Sequence, residues 1–263
     1  MPRDHFVART YLKHFADPSG VLHGYRKPDG FAFPASPRDV CAEWDDDLNP
    51  EFLPNDPALL GRLRKLFEPN WNRAVSGLQQ GTPSDEERLI LAGYMANLMN
   101  CTPTAKRIFV TMHNYQVKRY LSFAKKMKEK HGGLPDLPVE AIEMMERGEI
   151  SFATHPDFVK AMATRNLLDI AWTMYHQDWD VIENDTDLPF LTSDNPVPVL
   201  ALGLTDLLIR FLPVTPRLCL SVMYHRETED LGESVSTKQP SLGTIRRVGT
   251  TRASHLELKF ITL

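Results

Sequence analysis

The apolar residues change their period at Trp179. Upstream, from about residue 57 to 177, they recur at helical spacing over long stretches. Downstream, the runs are short, β-rich and cut by proline: 180–183, 188–192, 197–200, 209–214 and 218–224. This pattern predicts an α+β fold, with a central helical layer and a small mixed β-sheet built mainly from the C-terminal third, plus an N-terminal hairpin. No linker is long enough to force two units, so residues 1–263 read as one domain.

The hairpin is expected from Val21 to Phe33, turning at Pro28-Asp29-Gly30. Before it, residues 4–16 carry Phe6, Val7, Tyr11, His14 and Phe15 on one helical face. Residues 34–57 hold five prolines and read as mostly irregular. A helix follows to Gln80, kinked or broken at Pro69. Ser84-Asp85-Glu86-Glu87 has the form of a capping box, opening a helix to Cys101. Thr102-Pro103 begins the next, which runs to His131 and stops at Gly132-Gly133. A short helix from Pro138 to Arg147 precedes one from Pro156 to Gln177, with Phe158, Met162, Leu167, Leu168, Ile170, Ala171 and Met174 as its stripe. Residues 227–240 read as a polar loop, 241–255 as a short helix and 256–263 as a last strand.

Composition excludes several classes. A net charge of -4 rules out a uniformly basic nucleic-acid binder. Cys41, Cys101 and Cys219 lie far apart, with no CxxC pair, which argues against a disulfide framework or zinc knuckle and suits a reducing cytoplasm. No apolar run is long enough for a bilayer, and the N-terminus lacks the apolar core of a signal peptide. There is no P-loop, no G-x-S-x-G elbow and no H-E-x-x-H.

The densest group of hydrogen-bonding side chains is Thr192-Ser193-Asp194-Asn195-Pro196. Pro196 holds Asn195 extended, and Asp194 and Asn195 favour Asx turns. The plain reading is a rigid corner stapled by Asp194. The chemical reading places Asp194 at a strand end facing a pocket, with His5 as a general base that it orients, and Asn195 beside them. Glu68, with Asp194 and the acidic loop Glu183, Asp185 and Asp187, offers oxygen ligands for a divalent metal. Asn97 and Asn100 sit one turn apart on an apolar helix and need partners. Tyr11, Asn97, Asn100, Thr192 and Ser193 are therefore candidate substrate contacts. A third feature is the helix 104–131, which carries eight cations against Glu129 alone. Lys118, Arg119 and Lys125 are its candidate phosphate contacts, with Tyr115, Tyr120 and Phe123 between them.

Four stretches together resemble a known family. His5-Phe6-Val7, Tyr11-Leu12 and Phe15-Ala16-Asp17 are similar to the H-Y-V-P-x-x-Y-L-x-x-F-A-D opening of bacterial unknown-function family 4238. Trp179 and Pro189 to Val197 resemble its W…P-F-I-T-S-D-N-P-V signature, and Leu212 to Pro216 its later P-L-S-P. Cys101-Thr102-Pro103 occupies the place of its R-T-P. Ala8 stands for the family proline and Cys101 for its arginine. The resemblance covers nearly the whole chain and implies a shared fold and a bacterial origin, with no activity attached. Two functions are expected of the residues. One is a cytoplasmic hydrolase of a phosphate-bearing substrate, nucleic acid or nucleotide, of a defence or toxin-effector type. The other is a non-catalytic ligand- or protein-binding module in which the same residues are staples.

Overall fold

The capping box forms as the sequence predicts: Ser84 Oγ accepts from the Glu87 N–H at 3.3 Å, and Glu87 Oε2 accepts from the Ser84 N–H at 2.8 Å. It opens the helix Asp85–Cys101, in which every residue from Ile90 to Leu98 is buried. A helix apolar all round belongs at the centre of its domain. In this computed structural model, which describes residues 3–81, 83–131, 139–151, 153–202, 207–225 and 245–249, that helix is the hub. In chain order it is α4. Around it pack α2 (Leu59–Phe67), α3 (Trp71–Gln80), α5 (Pro103–His131), α7 (Pro156–Arg165) and α8 (Leu167–His176). The short α1 (Arg9–Leu12) contacts α3, and α6 (Val139–Glu146) contacts α5.

Gly93 lets α2 approach α4. A Cβ there would lie 2.1 Å from Phe67 Cε1, and Phe67 is itself buried. Gly93→Ala should therefore destabilise by about 1–3 kcal/mol through overpacking, despite alanine's better helix propensity. Urea unfolding of the variant against wild type checks the sign.

Among the described residues, three sheets accompany the helices. β1 (Arg3–His5) pairs antiparallel with β4 (Ala42–Trp44), and β2 (Leu22–Arg26) with β3 (Phe31–Ala35). The main sheet has the order β6-β7-β8-β5-β9, from β6 (Val199–Leu202), β7 (Leu207–Thr215), β8 (Leu218–His225), β5 (Asp178–Glu183) and β9 (Ile245–Gly249). All its pairings are antiparallel except β5 with β9, so it is mixed. Trp179, Val181, Leu212, Val214, Leu220 and Val222 form one fully buried face and join the helical core. Trp179 satisfies its indole by donating to the Met174 carbonyl at 2.9 Å.

The fold class agrees with the sequence; several elements do not. His5 lies on a strand, not a helix, because residues 3–5 pair with 42–44 across a loop that periodicity cannot see. The helical residues begin only at Arg9 and tighten into a 3-10 turn at Lys13–Phe15. The expected helix 57–80 splits at a 3-10 turn, Glu68–Asn70, which carries Pro69. The helix 156–177 breaks at Asn166, which rotates the stripe: Phe158, Met162 and Leu168 are exposed, while Val159, Ala161, Leu167, Ala171 and Met174 are buried. Residues 188–192 form no strand. Within the span expected to be helix 241–255, residues 245–249 form β9 instead. The loop 227–240 and the strand 256–263 fall outside the described residues.

Candidate functional site

The T-S-D-N-P corner is held at three points. The Tyr11 hydroxyl donates to the Pro213 carbonyl at 2.8 Å, so Thr192 Oγ1 donates to Tyr11 at 2.7 Å. Ser193 Oγ accepts from the Asn195 N–H at 3.1 Å, closing the turn. Asn195 Oδ1 accepts from Thr102 Oγ1 at 3.1 Å, which ties the corner to the start of α5. Tyr11 is fully buried and packs on Trp71 and Tyr94, with centroids 5.6 and 5.8 Å away. Tyr11, Thr192 and Asn195 thus join the first helix, the corner, β7 and α5. Ala8 donates its N–H to the Tyr94 hydroxyl at 2.9 Å, a bond a proline would not make.

His5 and Asp194 both lie beside residues 38–42, but no hydrogen bond or ion pair joins them. His5 Nε2 donates to the Arg38 carbonyl at 3.0 Å, and burial lowers its basicity. Asp194 is exposed. Its charge adds to burial in pushing the Cys41 thiol up to about 12, which leaves that thiol protonated and inert. Asn100 Nδ2 donates to the Ala96 carbonyl within its own helix at 2.8 Å. Among the described residues, no group of three His, Cys, Asp or Glu is placed to hold a metal ion. Glu68 is part-buried, while Asp194, Asp185 and Asp187 lie exposed on their loops.

What converges instead is a buried charge network that periodicity did not announce. Asp46, with its side chain 1% exposed, accepts from Arg64 Nη2 at 2.9 Å and meets Lys160 Nζ at 3.2 Å and Lys106 Nζ at 3.3 Å. Arg64 Nη1 pairs with Asp47 at 2.6 Å, and Lys106 also reaches Glu43 at 3.2 Å. Lys160 donates further to the carbonyls of Asp46 and Leu48. Burial works against Asp46's charge, but Arg64, Lys160 and Lys106 outweigh it and hold the carboxyl below its usual range. The network ties the loop after β4 to α2, α5 and α7. One signal for it was available: Leu60, Leu63, Arg64 and Phe67 share a helical face, which puts a cation among core positions.

Three polar groups at the edge of this network lack partners. Asn97 Oδ1 accepts from Arg64 Nε at 3.3 Å, but its Nδ2 is buried with none. Trp71 Nε1 and Glu68 Oε1 are buried and unpartnered as well. Burial pushes the Glu68 carboxyl up to about 7, partly opposed by Arg64 and reinforced by Asp47. Glu68, Tyr94, Trp71, Asn97 and Arg64 are therefore one neighbourhood, with Trp71 and Tyr94 centroids 4.6 Å apart. A carboxyl that titrates near neutrality in such a place is a workable general acid or base.

On the opposite kind of surface, α5 shows its chemistry outward. Ile108, Met112, Tyr115, Arg119, Phe123 and Lys126 follow one another at three- and four-residue spacing and are exposed. Lys118 and Lys125 flank that stripe, also exposed, and the Arg119 guanidinium lies 5.9 Å from the Tyr115 ring centroid. The inner side of α5 is anchored by buried Ala105 and Ala124, by His113 to Thr154 at 2.9 Å, and by Asn114 Oδ1, which accepts from the Thr154 N–H and hydroxyl. Lys106, counted among the basic residues in the sequence, belongs to the buried network and not to this surface.

Comparison with known proteins gives one match. A family model described as "Protein of unknown function (DUF4238)" covers residues 3–246. No curated protein and no solved structure matches the chain. No helix among the described residues is long and apolar enough to cross a membrane.

Proposed function

The chain belongs to the DUF4238 family, and on that premise we propose that it binds a phosphate-bearing polymer, single-stranded nucleic acid, along the outer face of α5. The observation that carries this reading is the exposed stripe itself. Tyr115 at 62%, Phe123 at 52% and Tyr120 at 49% exposure alternate with Lys118, Arg119, Lys125 and Lys126 over a helix about 43 Å long. Cations neutralise phosphates, and exposed rings stack on unpaired bases. The overall charge of -4 is compatible with this, because the positive charge is local.

The test is fluorescence anisotropy with labelled single-stranded DNA and RNA over a salt series. Combined charge reversal at Lys118, Arg119 and Lys125 should cut affinity more than tenfold and flatten the dependence on salt. Melting temperature should barely move, because these side chains are exposed. Tyr115→Ala with Phe123→Ala should weaken binding while leaving the salt slope in place. Wild-type protein that binds neither polymer at low salt would end the proposal, as would an unchanged curve for the charge-reversed variant.

A second reading, hydrolysis of a phosphate-bearing substrate, is favoured by Glu68, whose buried carboxyl sits near 7 beside Tyr94 and Arg64. It requires that wild type turn over the nucleic acid or a nucleotide and that Glu68→Gln bind it without turnover. Toxicity on expression, relieved by the same substitution, is the readout for a toxin-type effector.

A further inference from the structure

Alternation along β7 puts Leu208, Arg210, Leu212 and Val214 on one side of the strand. Leu212 and Val214 are fully buried there, and so is Val222, which stands opposite Arg210 on β8. Arg210 is thus a cation in a core row, at the end of the sheet where β5 begins. Among the described residues it makes one hydrogen bond, from Nη1 to Gln177 Oε1 at 3.1 Å. Its Nε is buried without a partner. Burial lowers its basicity, and the titratable group acting on it is Tyr224, not a carboxylate. The side chain is half-buried, with Nε sealed from solvent and no carboxylate partner among the described residues, an arrangement that an anionic group would relieve.

Gln177 completes the arrangement. Its Oε1 is taken by Arg210, which fixes the amide's orientation, and its Nε2 is buried without a partner. Its carbonyl accepts from Arg88 Nη2, and Arg88 is itself buried, with its guanidinium 4.6 Å from the Trp179 ring centroid. Two guanidinium groups therefore meet on one residue. Arg88 is faced by Tyr175, Asp178 and Asp85, whereas Arg210 Nε and Gln177 Nε2 are both donors without a partner, and the planar fork of Arg210 matches the geometry of a small oxyanion.

We propose that Arg210 and Gln177 form a binding site for a small oxyanion, the phosphate or carboxylate group of a ligand, at the Gln177 end of the main sheet. The Nε edge of Arg210 and Nε2 of Gln177 donate to it. The site is separate from the nucleic-acid face of α5 and does not depend on it.

Inorganic phosphate and acetate are the probes, each against chloride at matched ionic strength, read by thermal unfolding and calorimetry on the full chain. Phosphate or acetate should raise the wild-type melting temperature saturably in the millimolar range. A response to phosphate alone marks a phosphate ligand, and a response to acetate alone a carboxylate. Arg210→Met should abolish the response yet be at least as stable as wild type in chloride, since it removes a half-buried charge with no carboxylate partner among the described residues. Arg210→Lys, which keeps charge but loses the fork, should weaken binding about tenfold, as should Gln177→Leu. Charge reversal on α5 should leave the response intact. No saturable effect of either anion on wild type, or an undiminished effect on Arg210→Met, overturns the site.

Discussion

Asp46→Asn should lower folding stability by about 3–5 kcal/mol, the range for removing one partner from a buried ion pair. The carboxylate is 1% exposed and faces three cations, of which Arg64 and Lys160 are 3% and 4% exposed. The neutral amide would leave them unequally provided for. Arg64 would keep Asp47 and Lys106 would keep Glu43, but Lys160 would retain carbonyls only. Lys160→Met in the Asp46→Asn background should therefore recover part of the loss, which separates a stranded charge from a lost contact. The pH dependence has a definite sign. Asp46 is depressed in the folded state, so its contribution is present above the unfolded aspartate value near 3.9 and disappears as pH falls through the lower folded value. The variant should lack that part of the acid limb. Denaturant midpoints across pH measure both effects; a loss below about 1 kcal/mol would mean that the network is not what fastens the 43–48 loop.

The parts of this fold that were legible in the sequence are those with local causes. Ser84 and Glu87 fix a helix start three residues apart, Asp29-Gly30 fixes a hairpin, and the change at Trp179 marks where the main sheet begins. The parts that were not legible depend on partners distant in sequence. Nothing near His5 states that residues 42–44 will pair with it, and nothing near Thr192 states that Tyr11 will meet it from 181 positions away. The corner was correctly singled out as a dense knot of polar groups, but the number of such groups cannot distinguish a staple from a catalyst. Tyr11, Thr192, Ser193 and Asn195 all have bonding partners inside the chain. The better markers were cations in apolar rows, Arg64 on α2, Lys160 on α7 and Arg210 on β7. Each violates its own pattern: Arg64 and Lys160 lie in a charge network, and Arg210 has a buried Nε without a partner. The basic stripe was visible because a solvent-facing helix needs no distant partner to display its charges.

Glu68→Gln should stabilise the protein at and above neutral pH by about 3 kcal/mol, and by little near pH 4. Burial is the main cause of the rise of this carboxyl to about 7, and Oε1 has no hydrogen bond to compensate for it. A folded carboxyl raised above its unfolded value binds more protons folded than unfolded between about 4.5 and 7. Wild-type stability should then fall as pH rises through that window and level off beyond it, opposite in sign to the Asp46 contribution at lower pH. From these two groups alone the optimum lies between their unfolded values, near pH 4, and the glutamine variant should shift it upward. Paired midpoints for wild type and variant from pH 4 to 8 test this; parallel curves would mean that Glu68 does not titrate in the folded state as its surroundings require. The same variant bears on function. A chain that keeps a buried carboxyl half-ionised at neutrality forgoes stability that one amide would restore, and positions of that kind are where stabilisation tends to cost activity. If Glu68→Gln gains stability and loses turnover, the carboxyl is the proton-transfer group of the hydrolytic reading. If stability rises with nucleic-acid binding intact and wild type shows no turnover, the binding reading on α5 stands alone.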